Sequence, residues 1–228
     1  MALFVLGDPH LSLGASKPMD IFPGWNDYVE RLEKNWRKLI QPEDTIVLAG
    51  DISWAMRLTD TRRDFAFLQS LPGQKIIMKG NHDYWWKSSS KLEARYPGMR
   101  FLKNNFDRYA DWHICGTRGW LCPNNVQFTE QDKRIYEREQ VRLRLSLDAA
   151  MRDGAEKIIL MMHFPPMNDK QEDSAFTALF REYPVKKVIY GHLHGAASHK
   201  TAFEGKREGI DYALIAADYI AFCPRRIL

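Results

Sequence analysis

Cysteine is scarce in this sequence. Only three cysteines occur in 228 residues, Cys115, Cys122 and Cys223, and their spacing is irregular. Three are too few for a disulfide framework or for a cysteine-rich zinc site. An odd number without a pairing pattern is typical of proteins from a reducing compartment, and we therefore expect a cytoplasmic protein.

Long apolar segments are absent as well. No run approaches the ~18 apolar residues that can cross a membrane. The first apolar run, residues 2–7, lacks the preceding basic region of a signal peptide and leads directly to Asp8. The sequence therefore predicts a protein that has no membrane partner.

A large excess of charge of one sign is the third missing feature. The 33 Lys and Arg residues against 29 Asp and Glu residues give a net charge of +4. The densest charged segment, residues 130–152, mixes both signs, as a solvated helix face does. Nucleic-acid-binding proteins more often present a clustered basic face, so the composition argues against a nucleic-acid partner.

The chain has the size and composition of one large domain. Its 228 residues, 45 % of them hydrophobic, can bury a sizeable core. The sequence shows no internal repeat, no low-complexity linker and no break in composition. We therefore expect a single domain over residues 1–228.

Five short apolar runs each end at, or within three residues of, an Asp, Asn or His. Continuous runs of β-branched and aliphatic residues, separated by helical patterns, predict the buried strands of an α/β sheet. Ligands of such sheets bind outside the carboxyl ends of the strands, where these polar residues would meet. The runs and their polar residues are 2–7 before Asp8 and His10, 45–50 before Asp51, 75–80 before Asn81, His82 and Asp83, 157–162 before His163, and 187–191 before His192 and His194.

Other segments show patterns of helices and strands. Strands are predicted at 100–103 and 112–116, joined by a turn near 104–105 and the polar segment 107–111. The tail reads as antiparallel strands at 202–203 and from 212 to 217 around a turn at 205–209. Helices are predicted from Asn26 to Ile40, over 59–71 and 88–95, from Thr129 to Gly154, and over 174–182.

The polar residues have the spacing and chemistry of metal ligands. Residues two apart in extended backbone point to the same face, so Asp8 and His10, like His192 and His194, would present two ligands together. Asp51, alone at a strand end, suits a carboxylate that bridges two ions. A single Asp or His at a strand end is more often a cap or a satisfied core group. The number of such groups at one edge favours a site.

The order of these polar residues resembles the signature of a known family. Their order is similar to the five-block signature of the calcineurin-like metallophosphoesterases, and in particular to a small bacterial branch of predicted phosphohydrolases. The fourth block departs from the pattern because methionine, not glycine, precedes its histidine. The blocks, which span residues 8 to 194, are Asp8-Pro9-His10, Gly50-Asp51, Gly80-Asn81-His82-Asp83, His163 and Gly191-His192-Leu193-His194.

The resemblance implies both a fold and a site. The implied fold is an α/β four-layer αββα sandwich, with two mixed β-sheets flanked by helices. The implied site is a dinuclear metal centre. Asp8, His10 and His194 would hold one ion and Asn81, His163 and His192 the other, with Asp51 bridging, His82 as the catalytic imidazole and Asp83 orienting it. His113 and His199 lie outside the pattern and are interpreted as structural or surface residues.

The chemistry of this ligand set agrees with the resemblance. Nitrogen and oxygen ligands without a thiolate suit Mn, Fe or Zn and do not choose among them. Two ions make the centre positive, which attracts phosphate and stabilises the transition state of an in-line displacement. A hydroxide that bridges the ions can act as the nucleophile, so no serine or cysteine is needed. The sequence thus predicts a metal-dependent phosphohydrolase.

Loops beside the metal blocks carry candidate substrate contacts. Arg57 and Arg118 suit bidentate contacts to phosphate oxygens. Trp54, Trp85, Trp86 and Trp120 suit stacking on a base or ring, although packing onto the core is an equally open interpretation for each one. Together they favour a small phosphodiester or monoester, with a nucleotide-like ester as one candidate.

Two other functions stay open. A nuclease would use the same metal centre, although the weak net charge argues against it. A non-catalytic scaffold would keep the fold and use its surface for partners, although His82 and every ligand position are present. A single structural zinc site is disfavoured because such sites usually recruit cysteines. The oligomeric state is left open.

Overall fold

Four parallel strands form the centre of the first sheet. The computed structural model describes residues 1–124 and 128–228. The strand order is β11-β1-β2-β3-β4, with the two-residue strand β11 antiparallel at one edge. The strands of this sheet are β1 (Leu3–Leu6), β2 (Thr45–Leu48), β3 (Gln74–Met78), β4 (Met99–Leu102) and β11 (Arg225–Arg226).

The second sheet also has a parallel centre, with antiparallel strands at both edges. Its order is β5-β6-β7-β8-β10-β9, and β5 and β9 are the antiparallel edge strands. Its strands are β5 (Phe106–Tyr109), β6 (Trp112–Thr117), β7 (Ile158–Met162), β8 (Val185–Tyr190), β9 (Gly205–Arg207) and β10 (Ile210–Leu214). Both sheets are therefore mixed, as expected.

The helices cover the outer faces of the two sheets. The described helices are α1 (Tyr28–Leu39), α2 (Arg62–Ser70), α3 (Ser89–Arg95), α4 (Glu130–Arg152), α5 (Ala175–Phe180) and α6 (Gly195–His199). Residues of α1, α2 and α3 pack in one apolar cluster with the first sheet. Residues of α4 and α5 pack in another with the second sheet.

A third apolar cluster lies between the sheets. It contains Leu3 and Val5 of β1 together with Ile159 and Met161 of β7, whereas the intervening Phe4 and Leu6 belong to the outer cluster. Side chains alternate along a strand, so each sheet supplies one row to the interior and one to its helices. The predicted four-layer αββα sandwich is confirmed.

Local sequence signals fix the ends of the longer elements. Thr129 and Asp132 form a reciprocal capping box at the start of α4, and the chain turns at Gly154 just after it.

Among the helices in the described part of the chain, none combines the length and the apolar composition that crossing a bilayer requires.

The structure corrects two local predictions and adds one helix. The polar connection predicted at 107–111 overlaps β5, a partly buried edge strand in which Arg108 is exposed. The predicted strand at 202–203 is absent, and the hairpin of β9 and β10 turns at Glu208 and Gly209, which both have positive φ. The short helix α6 is an addition that its five residues do not signal.

Candidate metal centre

The seven predicted ligands follow strands of both sheets. Asp8, Asp51 and Asn81 come after β1, β2 and β3 of the first sheet, and His163 comes after β7 of the second. His10 lies two residues beyond Asp8, and His192 and His194 follow β8. Backbone bonds join these strand ends: Asp8 N donates to Gly50 O at 3.0 Å, and Gly191 N donates to His163 O at 3.1 Å. The sandwich therefore brings all of them to one edge.

Six of these side chains form two groups that can each hold a metal ion. In one group, ligand atoms of Asp8, His10 and His194 all lie within 4.8 Å of one another. In the other, ligand atoms of Asp51, His163 and His192 do so. The grouping separates the two histidines that follow β8, as the resemblance implied.

Two further distances complete the arrangement. Asn81 Oδ1 lies 2.6 Å from His163 Nε2, which places the amide at the second group. Asp51, a member of the second group, has its Oδ2 3.4 Å from His163 Nε2 and also 3.8 Å from His10 Nε2 of the first group. This carboxylate oxygen is therefore within reach of both.

The arrangement of polar atoms fits cations. His10 Nε2 and His194 Nε2 face each other at 3.1 Å, and His192 Nδ1 faces His163 Nε2 at 3.3 Å. The buried Oδ1 of Asp8 has no hydrogen-bond donor among the described residues. Lone pairs that converge in a buried space without donors are costly unless a cation binds them. The donor set thus suits Mn, Fe or Zn.

Electrostatics favour the same interpretation. Burial raises the pKa of Asp51 to about 6, and burial together with repulsion from Asp51 raises that of Asp8, although His194 opposes it. Burial lowers the pKa of His163 to about 3, and it also lowers the pKa of His10. Neutral imidazoles are the form that binds metal, and a cation would offset the cost of the two buried carboxylates.

The backbone at the centre is strained. Asp8, His10, Asp51 and His192 have φ values of 54°, 45°, 49° and 71°, in the left-handed region. Such conformations cost free energy in residues other than glycine and tend to cluster at functional sites. They also correct the expectation of extended backbone, because Asp8 and His10 reach the same group through a turn.

Glycines let the backbone approach the two carboxylates. A Cβ at Gly80 would lie 2.1 Å from Asp51 Oδ1, and a Cβ at Gly191 would lie 2.1 Å from Asp8 Oδ2. Because Gly80 has no Cβ, the chain can pass close enough for His82 N to donate to Asp51 Oδ1 at 2.7 Å. His192 N likewise donates to Asp8 Oδ2 at 2.9 Å. One oxygen of each carboxylate is thus fixed by the main chain, and the other is left for a metal.

His82 lies beside the centre and outside both ligand groups. Its ring is 4.5 Å from the ring of Trp54 and 5.9 Å from that of His10, centroid to centroid. It lines an apolar pocket together with His10, Trp54 and Trp25. Its imidazole is therefore free to face a bound molecule.

Asp83 has a different role from the one expected. Its fully buried carboxylate accepts hydrogen bonds from Gly80 N at 2.8 Å, Ile52 N at 2.9 Å, Ser53 N at 3.3 Å and Trp85 Nε1 at 3.0 Å. These donors do not include the imidazole of His82. Asp83 thus ties the loop after β3 to the loop after β2 and does not orient the His82 ring directly.

Asp218 is a functional residue that the sequence analysis missed. Its carboxylate accepts from His194 Nδ1 at 2.8 Å and from Gly195 N at 2.9 Å, and His199 Nε2 lies 3.3 Å away. A carboxylate on the second nitrogen of a ligating histidine fixes its tautomer and orientation. The sequence did carry a signal for Asp218, because this residue directly follows the apolar run 212–217, as the predicted ligands follow their own runs.

Two of the four predicted stacking tryptophans are buried. Trp85 is 0 % exposed and Trp86 is 7 % exposed, and they pack against Phe65 and Phe101 respectively. The suggested contact of Trp85 with a substrate ring is wrong, because core packing encloses its whole side chain. Trp86 also lines a cavity with Lys79 and Arg118, so its contact with a substrate stays a prediction. Trp85 instead donates to Asp83.

The other two tryptophans lie near the site. Trp54 stacks on His10 at 4.8 Å between ring centroids, with an interplanar angle of 18°. Trp120 packs on Phe164, and the guanidinium of Arg118 lies 4.7 Å from its ring centroid. Trp54 therefore packs against His10, a metal-ligand candidate, and Trp120 packs against Arg118.

The two predicted arginines differ in position. Arg118 directly follows β6, and its backbone oxygen accepts from His163 N at 3.2 Å, so it lies next to the second ligand group. Arg57 is exposed on the loop between β2 and α2. The structure thus brings Arg118 to the edge of the metal centre, whereas the contact predicted for Arg57 stays a prediction.

Comparisons with known proteins agree with this geometry. The family model for calcineurin-like phosphoesterase matches residues 1–196. Among solved structures, phosphopantetheinyl hydrolase from Mycobacterium tuberculosis is similar with a TM-score of 0.58 and 14 % identity, covering 100 % of this chain and 95 % of that one. The protein TT1561 of Thermus thermophilus is similar with a TM-score of 0.60 and 14 % identity, covering 99 % and 97 %. The search of curated proteins found no match.

Proposed function

The chain belongs to the calcineurin-like phosphoesterase family, and we propose that it is a phosphohydrolase that works with two metal ions. One observation carries this proposal: two groups of ligand atoms lie side by side at one edge of the sandwich, because Asp51 of the second group also lies 3.8 Å from His10 Nε2 of the first. A structural site needs only one group of about four ligands. Two adjacent groups, with an imidazole outside both, suit catalysis.

The proposed ligands are those that converge in the structure. Asp8, His10 and His194 would hold one ion, Asn81, His163 and His192 the other, and Asp51 would contact both. When bound, the ions would supply Lewis-acid stabilisation of phosphoryl charge and a water acidic enough to act as nucleophile.

His82 is the proposed catalytic imidazole. Its backbone amide is fixed to Asp51 while its ring faces the apolar pocket beside both ligand groups. From there a ring nitrogen can donate a hydrogen bond or a proton to the leaving oxygen of an ester. General acid catalysis of this kind contributes roughly 10²–10⁴-fold to the rate.

Arg118 is the proposed contact to the phosphoryl oxygens. Its guanidinium is held by Glu139, 3.3 Å from Nη2, and by the ring of Trp120. A fixed guanidinium can bind phosphate oxygens with two parallel hydrogen bonds. Its position after β6 places it at the edge that carries the metal ligands.

The apolar pocket is the proposed site for the organic part of a small phosphoester. Met19, Phe22, Trp25 and Trp54 line it together with His82. Trp54 already stacks on His10, and Met19 and Trp25 are buried, whereas Phe22 is 49 % exposed, so a ring would be held chiefly by Phe22. The pocket therefore suits an apolar or partly aromatic alcohol, as a monoester or a diester.

The test is metal-dependent turnover. The protein is stripped with a chelator, reloaded with Mn²⁺ and assayed with nitrophenyl phosphate and with bis-nitrophenyl phosphate. We expect turnover of at least one ester only after reloading, and the ratio of the two rates distinguishes a phosphatase from a diesterase. Two bound ions without turnover of either ester would instead support a non-catalytic scaffold.

A further inference from the structure

A second cavity beside the metal centre is lined by positively charged side chains. Lys79 follows β3, Lys103 follows β4 and Arg118 follows β6, so strand ends of both sheets each contribute a cation. Lys87 and Arg142 also line this space, which we call the basic cavity. Its cations contrast with the small net charge of the whole chain.

The described lining of the basic cavity includes one carboxylate, and the protein already uses it. Glu139 of α4 is 1 % exposed. Its Oε1 accepts from Arg142 Nη1 at 2.6 Å and from Arg118 Nη2 at 3.3 Å, and its Oε2 accepts from Thr117 Oγ1 at 2.7 Å. Glu139 therefore fixes two guanidinium groups at the wall, while its single charge cannot balance five cations.

The cations are close enough to repel one another. Five cationic side chains line this one space, and the guanidinium groups of Arg118 and Arg142 lie 3.3 and 2.6 Å from the same carboxylate oxygen of Glu139. Folding has thus gathered like charges in one cavity at a cost. A bound anion would offset that cost.

The basic cavity adjoins the metal centre. The backbone oxygen of Arg118 accepts from the amides of His163 and Phe164, at 3.2 and 2.9 Å. Lys79 directly precedes Gly80, whose Cα faces Asp51. A group in the basic cavity and a phosphoryl group at the metal centre would therefore lie on neighbouring strand ends.

We propose that the basic cavity binds a second phosphate group of the substrate, so that the enzyme acts on phosphoesters that carry two phosphates. This inference rests on the proposed function. Arg118 is assigned to the phosphoryl group at the metal centre, so the second phosphate would be held by the guanidinium of Arg142, which Glu139 fixes, and by the ammonium groups that line the cavity. These side chains recognise phosphate by bidentate bonds and by point charge respectively. The apolar pocket would then hold the organic group and the basic cavity the remote phosphate.

The first test compares two substrates that differ by one phosphate. Adenosine 3′,5′-bisphosphate and AMP are assayed with the Mn²⁺-loaded full chain. We expect kcat/KM for the bisphosphate to be higher by about tenfold or more, as one charged hydrogen bond allows. We expect Lys103→Gln to remove most of this preference through KM and Lys103→Arg to restore it.

The control variant removes one lysine charge outside the basic cavity. Lys186→Gln on β8 removes the same charge from an exposed position of the second sheet, and it should leave the preference unchanged. Equal kcat/KM for both substrates, or equal loss in Lys103→Gln and Lys186→Gln, would overturn the proposal.

A binding measurement separates this proposal from the proposed function. Inorganic phosphate and the bisphosphate are titrated calorimetrically into the chelator-treated full chain. Bisphosphate binding that Lys103→Gln weakens about tenfold supports the cavity assignment even if no ester is turned over, which would refute only the hydrolase. Phosphate binding at the cavity without any preference for the bisphosphate would show a site for a free anion and overturn the substrate role.

Discussion

The two buried carboxylates of the metal centre owe their orientation to backbone amides. Asp51 Oδ1 accepts from His82 N, and Asp8 Oδ2 accepts from His192 N. The first amide belongs to His82, the candidate catalytic imidazole, and the second belongs to His192, a candidate metal ligand. The same hydrogen bonds therefore position the two carboxylates and these two residues. Substitution of a side chain alone therefore leaves this scaffold in place.

His82→Ala tests the imidazole without disturbing the ligands. The backbone amide that holds Asp51 remains, so we expect the variant to bind both ions. Its kcat should fall by roughly 10²–10⁴-fold, the usual loss when a general acid is removed. Elemental analysis and steady-state kinetics measure the two quantities, and an unchanged kcat would remove His82 from the mechanism.

Asp218→Asn tests the carboxylate behind His194. Loss of a carboxylate that orients a ligating histidine costs about 10–100-fold in metal affinity or activity. We expect the dissociation constant for Mn²⁺, measured by equilibrium dialysis, to rise by this factor. Asp211→Asn, on the exposed side of β10, is the control. Equal affinities in the two variants would assign Asp218 a purely local role.

Residues that resemble a known pattern could be predicted, and residues defined only by contact could not. The seven ligand candidates converge where the strand ends predicted them. Asp83 and Trp85 were misassigned because burial cannot be recognised within a short polar and aromatic segment. Asp218 was missed although it follows an apolar run, because its partner His194 is distant in the sequence.

At the scale of the elements, the loops after the strands are as constrained as the strands themselves. The loop after β8 begins at Gly191, where the backbone passes against the Asp8 carboxylate. The loop after β3 begins at Gly80, against Asp51. These close approaches allow two sheets to present ligands to one small volume.

Gly191→Ala should damage the first ligand group. The added Cβ would lie 2.1 Å from Asp8 Oδ2, closer than any real contact, so the carboxylate must move. We expect the variant to fold and to lose at least one metal ion by elemental analysis. Gly98→Ala adds a methyl group at a φ of 83° with no heavy atom within 4 Å. This control should cost about 1–2 kcal/mol of stability and no metal. Full metal content in Gly191→Ala would contradict the described geometry.

Buried parallel strands were easier to predict than edge elements. The five apolar runs correspond to β1, β2, β3, β7 and β8, because a strand covered on both faces is apolar along its length. The edge strands β5 and β9 have exposed residues that resemble a turn. The helix α6 is too short for a periodic pattern.

At the scale of the whole molecule, the metal centre joins the two sheets. Asp8, Asp51 and Asn81 come from the first sheet, and His163 and His194 come from the second. An ion in either group would be bound by residues of both sheets. Metal binding should therefore stabilise the sandwich and not only its edge.

Thermal unfolding tests this coupling. A ligand that binds the folded state at 100 times its Kd adds about 2.7 kcal/mol of stability, which for a chain of this size corresponds to roughly 5–10 °C in Tm. We expect Mn²⁺ to raise the Tm of chelator-treated protein by at least this much. His82→Ala should keep the shift. A Tm independent of Mn²⁺ would show that the centre does not join the sheets.

Metal counting in the wild type and in Asp51→Ala, after chelation and reloading with Mn²⁺, tests whether Asp51 is shared by two metal ions. We expect two ions per chain in the wild type and loss of both in the variant, with Asp211→Ala as a control that retains two. An Asp51→Ala variant that still binds two ions, or a wild type that binds only one, would contradict it.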